Sequence, residues 1–87
     1  NEFDILAMKG TDLCIFECKS GKVKAADIDQ LVALRSMLGR FTRLFVVTWF
    51  KPGTTMLERL ADNNITPLSF PNLKMELKEI SIYNPNI

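Results

Sequence analysis

The sequence predicts a small α/β layer: an antiparallel hairpin, a crossover helix, and a strand parallel to the second arm of the hairpin. Three observations carry that expectation. Two short runs rich in strand formers, residues 3–8 and 13–18, flank the turn residues Lys9-Gly10-Thr11-Asp12. A helical pattern follows, with Ile28, Leu31, Val32, Leu34, Arg35 and Leu38 at helical spacing and Gly39 placed to end it. Then Leu44-Phe45-Val46-Val47-Thr48-Trp49-Phe50 runs almost without a polar break, the profile of a strand covered on both faces. Strand, helix and buried strand in that order form a right-handed crossover unit.

The remaining elements follow in order. Ser20-Gly21-Lys22 leads out of the hairpin, and Asp27 and Asp29 stand near the start of the crossover helix, where the helix dipole favours negative charge. Lys51-Pro52-Gly53 breaks the buried run. A second helix is expected from Thr54 or Thr55 to Asn63, burying Met56, Leu57 and Leu60. Residues 65–68 suit a short edge strand, since Pro67 argues against a central position. Residues 73–80 suit a last short helix, and Asn84-Pro85-Asn86 a loose tail. Met37, Phe41 and Trp49 are expected to pack into the core, although Trp49 also has the chemistry to stack on a base.

At 87 residues the chain is one small domain, residues 1–87, and its 47% hydrophobic content is enough to furnish a core. No apolar run reaches the length of a membrane span, and no basic-then-apolar leader opens the chain, so no membrane partner is expected. The chain begins without methionine and almost at once enters its first strand, which leaves nothing to cover one side of the hairpin. The expectation is a C-terminal part of a longer chain whose preceding segment supplies a helix and a strand. The alternative is a small protein completed by oligomerisation.

Net charge is only +1 and identifies no partner, but its distribution is uneven. No acidic residue lies between Asp29 and Glu58, whereas Arg35, Arg40, Arg43 and Lys51 all do, and Lys19, Lys22 and Lys24 form a second acid-free run. Such runs are either solvated surface or a face turned to phosphate. Cys14 and Cys18 stand four apart on one strand, on the same face but about 13 Å from each other, too far to bridge. Without histidine or a third cysteine there is no usual zinc ligand set. Both cysteines fit as small apolar residues on the face opposite the acidic ones, in a cytoplasmic setting.

The hairpin also carries charge where a buried strand should not. If it is symmetric about Gly10-Thr11, Asp4 stands opposite Glu17 and Glu2 opposite Lys19, and side-chain alternation puts all four on one face. Directly opposed residues have Cβ atoms roughly 4.5–5.5 Å apart, a distance at which like charges destabilise a hairpin. A divalent cation between the carboxylates removes that conflict, and oxygen-rich sites of this kind suit Mg²⁺ or Mn²⁺. Asp4, Glu17 and the main-chain carbonyl of Cys18 are the candidate metal ligands. Glu2 is a further candidate, its alternative being a salt bridge to Lys19. Such a cation polarises a phosphodiester and activates water, while Lys19 is placed to orient that water or to offset charge on the phosphate. Glu-x-Lys alone is a poor signal, since Glu76-Leu77-Lys78 repeats it outside any such setting.

This constellation of Asp4, hairpin, Glu17-Cys18-Lys19, crossover helix and parallel strand resembles the restriction-endonuclease-like PD-(D/E)xK nuclease superfamily. Phe3 stands where the proline before the first acid is usually written. Within the superfamily, Asn1-Glu2-Phe3-Asp4, Phe16-Glu17-Cys18-Lys19 and Leu34-Arg35-Ser36-Met37-Leu38-Gly39 are similar to the nuclease domain of CRISPR ancillary nucleases that carry an upstream cyclic-oligoadenylate-sensing (CARF) domain. The resemblance spans residues 1–50. It implies a restriction-endonuclease-like mixed sheet lacking its N-terminal helix and first strand here, and a metal-dependent endonuclease acting on DNA or RNA. It further implies a homodimer, antiviral defence, and activation by a cyclic oligoadenylate through the missing domain. Under it Asp4 and Glu17 are metal ligands, Lys19 is the catalytic lysine, and Gln30, near the start of the crossover helix, is an accessory residue. Lys22, Lys24 and Arg35 are candidate phosphate contacts. The competing readings are a nuclease-like fold that binds nucleic acid without cutting, and an assembly module in which Asp4, Glu17 and Lys19 form a structural ion-pair network.

Overall fold

Gly10 sets the register from which the rest of the sheet is built. Its φ of 62° lies in the left-handed region that favours glycine, and it closes the connection between β1 (Glu2–Lys9) and β2 (Asp12–Lys19). The computed structural model describes residues 2–10, 12–73, 75 and 76, the side chains of 2–4 and 9 excepted. Most of the expected helix over 73–80, and the expected tail at 84–86, lie outside the described residues. The two strands pair antiparallel along their whole length, with Glu2 opposite Lys19, Asp4 opposite Glu17 and Lys9 opposite Asp12. That is the symmetric register expected from the sequence.

Next come α1 (Ala25–Leu38), β3 (Arg43–Thr48), α2 (Thr54–Asp62) and β4 (Ile65–Ser69), then a single 3₁₀ turn, Phe70–Asn72. Gly39 ends α1 at φ 118°, its N–H on the Arg35 carbonyl at 2.8 Å. The sheet order is β1-β2-β3-β4, antiparallel between β1 and β2 and parallel thereafter. The architecture is therefore a small α/β layer with a mixed four-stranded sheet and two α-helices among the described residues. Pro67 is on β4, an edge strand, where a missing ladder donor is tolerated.

Strand alternation splits the core in two. Ile15, Leu44, Val46 and Ile65 face α1 and α2, packing with Ile28, Leu31 and Leu60. Cys14, Phe16, Cys18, Phe45, Val47 and Leu68 form the second face, where Phe16 and Phe45 stack at 4.7 Å. Full burial of a side chain such as Leu31 or Leu60 stabilises by about 1.5–3 kcal/mol, so these two hold the helices to the sheet. Both cysteines are buried on the second face, as small apolar residues. On β1, by contrast, Ile5, Leu6 and Met8 are exposed. Met37, near the end of α1, and Phe41, in the turn between α1 and β3, were expected in the core and are 80% and 76% exposed.

Candidate active site

β2 brings its charged residues to the carboxyl end of the parallel strands. Glu17 and Lys19 alternate with Ile15 on the helix-covered face, while Cys18 faces the other way into the aromatic core. Glu17 is 5% exposed and stands in register between Asp4 of β1 and Val46 of β3. Lys19, 9% exposed, lies between Glu2 and Thr48.

A buried ammonium needs compensation, and α1 provides it. Lys19 Nζ donates to Asp27 Oδ2 at 2.7 Å. Asp27 sits in the first turn of α1 and with the same oxygen accepts the backbone N–H of Lys24 at 2.7 Å, tying the start of the helix to the end of β2. Burial pushes the Asp27 carboxyl up. The hydrogen bonds from Lys19 and from the Lys24 backbone, with the positive charge of both lysines, outweigh it and hold the group below its ordinary value of 3.8. The Lys19 ammonium is thus fixed in place by a charged partner eight residues further along the chain.

Backbone register places positions 2 and 4 opposite Lys19 and Glu17, and their side chains lie outside the described residues. The main chain of Cys18 pairs with Phe3 and Val47 at the same level. Among the described side chains no three His, Cys, Asp or Glu groups gather around one point. The donor chemistry of Asp4, Glu17 and the Cys18 carbonyl is all hard oxygen, which fits Mg²⁺ or Mn²⁺ and not a soft metal.

Lys22 and Lys24 are exposed in the loop between β2 and α1, at the same end of the sheet as Lys19. Gln30 is exposed on α1. Arg35 is not with them. It lies about 15 Å further along the helix than Ala25, at the opposite end of the sheet. There its guanidinium reaches the Asn64 carbonyl at 3.5 Å and lines a cavity with Arg40 and Arg43.

Two residue groups at the carboxyl end take positions that the sequence does not show. Asp27 is one; a carboxylate in the first turn signals a helix start, and nothing local shows that it also reaches β2. The other is Trp49 with Phe50. The apolar run continues through both, yet β3 ends at Thr48, whose Oγ1 donates to the Phe50 carbonyl at 2.7 Å and turns the chain out of the sheet. Trp49 is consequently 57% exposed and not a core residue, with its ring stacked on Phe70 at 4.9 Å. The second Glu-x-Lys has a structural use, since the Glu76 carboxylate accepts the Ser69 backbone N–H at 3.0 Å.

Among solved structures the fold is similar to protein VC1899 from Vibrio cholerae, with a TM-score of 0.71 and 22% identity, over 87% of this chain and 21% of that one. The likeness is one of fold, and this chain spans about a fifth of the length of that protein. No family model matches the sequence. No curated protein matches it. Among the described residues no helix is long and apolar enough to cross a membrane.

Proposed function

We propose that this chain is a metal-dependent endonuclease domain of the restriction-endonuclease-like PD-(D/E)xK type, hydrolysing phosphodiester bonds of DNA or RNA. The observation that carries the proposal is the register of the hairpin. It sets Asp4 opposite Glu17, with Lys19 on the Glu17 face and its ammonium already held by Asp27. Asp4, Glu17 and the Cys18 carbonyl would hold the cation, with Glu2 as a further candidate ligand. Mg²⁺ or Mn²⁺ so bound supplies Lewis-acid polarisation of a phosphodiester and a lower pKa for water. The chain's own part is positioning. Lys19 presents a fixed N–H donor to a non-bridging phosphate oxygen as negative charge grows there, in a site where neighbouring strands exclude bulk water. Lys22 and Lys24 contact flanking phosphates and set the substrate's position without reading its sequence. The resemblance to CRISPR ancillary nucleases extends the proposal to a cytoplasmic homodimer acting in antiviral defence and switched on by a cyclic oligoadenylate through an upstream CARF domain.

Cleavage of single-stranded and supercoiled DNA and of RNA, with Mn²⁺, Mg²⁺ or EDTA and with or without a cyclic oligoadenylate, tests this directly. Cutting should require the metal and disappear in Glu17→Gln. Lys19→Gln should cut about 10²–10³-fold more slowly, the loss that follows removal of one preorganised donor. Mn²⁺ should raise the melting temperature of the wild type and not that of Glu17→Gln, a readout independent of turnover.

The 2.7 Å contact between Lys19 and Asp27 supports a second reading. In it the lysine serves only an ion pair, and the chain is a nuclease-like nucleic-acid-binding or assembly module. A melting temperature indifferent to Mn²⁺, with no cutting of any substrate, decides for that reading.

A further inference from the structure

A cavity of about 550 Å³ opens at the carboxyl end of the parallel strands, on the side of the sheet that carries Glu17 and Lys19. The loops after β2 and β3 and the start of α2 enclose it, and Val23, Phe50, Pro52, Met56, Lys22 and Lys51 line it. Its apolar walls are held in place by the fold. Val23 is buried in one cluster with Ile15, Ile28 and Leu31, and Met56 packs against the same cluster. At the third wall the Thr48 hydroxyl donates to the Phe50 carbonyl at 2.7 Å, and Pro52 restricts the backbone just beyond. Phe50 is nonetheless 67% exposed, a large apolar side chain that the core does not use. Among the described residues the lining contains two lysines and no carboxylate, and the first turn of α2 adds no acid. The volume is within the range of small-ligand sites, and the crevice outside the carboxyl ends of parallel strands is where open α/β sheets take ligands. An occupant matched to this lining has a flat apolar part for Phe50, Val23 and Met56 and negative charge for Lys22 and Lys51. A nucleotide has both, whereas inorganic phosphate leaves the apolar part unfilled.

We propose that this cavity is a subsite for one unpaired nucleotide of the substrate strand, its base against Phe50, Val23 and Met56 and its phosphate on Lys22 and Lys51. A base still paired and stacked in a duplex cannot enter, so the subsite selects single-stranded stretches. Lys22 follows Lys19 by at most roughly 11 Å of extended chain, which makes a nucleotide held there a near neighbour of the phosphate at Lys19. The inference rests on the reading that this end of the sheet takes nucleic acid, but not on cutting. A second copy of the chain suits the cavity less well, since a two-fold interface here would set Lys22 and Lys51 against the same lysines.

The protein is titrated in EDTA with a labelled oligothymidylate of roughly 10 nucleotides, a length within the usual site sizes, and with a duplex of equal length, followed by anisotropy. The single strand should bind more tightly, and thymidine monophosphate should displace it at lower concentration than inorganic phosphate does. Phe50→Leu should weaken strand binding between about 5- and 150-fold, with Phe50→Tyr restoring most of the loss. Lys51→Gln should lower the salt slope by about 1. The ring of Trp49 rests on Phe70, outside this lining, so Trp49→Leu should bind the strand as the wild type does. Unchanged affinity in Phe50→Leu, or an equal loss in Trp49→Leu, overturns the proposal. So does equal displacement by phosphate and by the monophosphate, which would make the lysines an anion site with no place for a base. A Phe50→Leu variant that dissociates a dimer while binding the strand as before overturns it too, and would make the cavity part of an interface between copies. Metal-dependent cutting with unchanged affinity in Phe50→Leu refutes the subsite alone; affinity lost in Phe50→Leu while the wild type cuts no substrate refutes the nuclease reading alone.

Discussion

The two ends of the parallel sheet are both basic, yet they hold their charges in opposite ways. At the carboxyl end Lys19 is buried, with a carboxylate at 2.7 Å that is itself anchored on the backbone of the next helix. At the amino end Arg35, Arg40 and Arg43 line a cavity of about 430 Å³, with Arg40 lying 4.8 Å over the ring of an exposed Phe41. The first arrangement fixes a cation at one place before any ligand arrives, which is what a charge-stabilising group in a reaction needs. The second offers cations that rest on ring faces and a carbonyl rather than on a carboxylate, and these attract anions over a distance and select little among them. A count of basic residues along the sequence does not separate the two. Burial and a partner do.

Removing the partner of Lys19 should do the most damage. Asp27→Ala leaves the Lys19 ammonium buried without that carboxylate and should destabilise the fold by about 3–5 kcal/mol in urea unfolding. Replacing both together, Lys19→Met with Asp27→Leu, should recover most of that loss, since an apolar pair of similar volume is often as stable as a buried ion pair. Under the nuclease reading the double variant should nonetheless fail to cut. Recovered stability with cutting intact would show that Lys19 has no part in the reaction.

This contrast marks how far the residues alone could be read. The hairpin register was legible because Gly10 in a two-residue connection leaves one way to pair the strands, and pairing fixes which residues stand opposite. The crossover helix, the parallel strand and the edge position of Pro67 were legible from periodicity and from the properties of proline. Two features at the candidate site were not. The run Leu44 to Phe50 is apolar throughout, so nothing in it says that the chain leaves the sheet after Thr48; a hydroxyl-to-carbonyl bond decides that. The start of α1 at Ala25 places Asp27 in its first turn, where the dipole, the Lys24 N–H and Lys19 all favour a carboxylate. Sequence shows the first of these causes and hides the third, which depends on how α1 sits on the sheet. Arg35 is the complementary case, a residue that a helix of 14 residues carries to the opposite end of the sheet from Lys19.

Acid should weaken the same contact to a smaller degree. The Asp27 carboxyl is held below its ordinary value in the folded protein, so the unfolded chain binds the proton more readily. The contribution is therefore complete above the ordinary carboxylate value and is lost as pH falls through the lower folded one. Urea midpoints followed from about pH 6 down to about pH 2 should show that loss in the wild type and not in Asp27→Asn. An acid limb of equal size in both proteins would place the linkage on other carboxylates.

The smallest effects belong at the amino end. Arg40→Gln removes a cation from the exposed ring of Phe41, an interaction of about 0.5–1 kcal/mol, and Arg43→Gln another from the ring of Phe45 at 5.5 Å. Neither should unfold the protein, and the melting temperature should fall by a few degrees at most. Their informative readout is binding. If the substrate runs over the carboxyl end alone, the salt slope for an oligonucleotide in EDTA is the same in Arg40→Gln as in the wild type, because no phosphate contact has been lost. A slope lower by about 1 for each arginine removed would mean that the strand extends along α1 to the far end of the sheet, joining the two basic regions into one track.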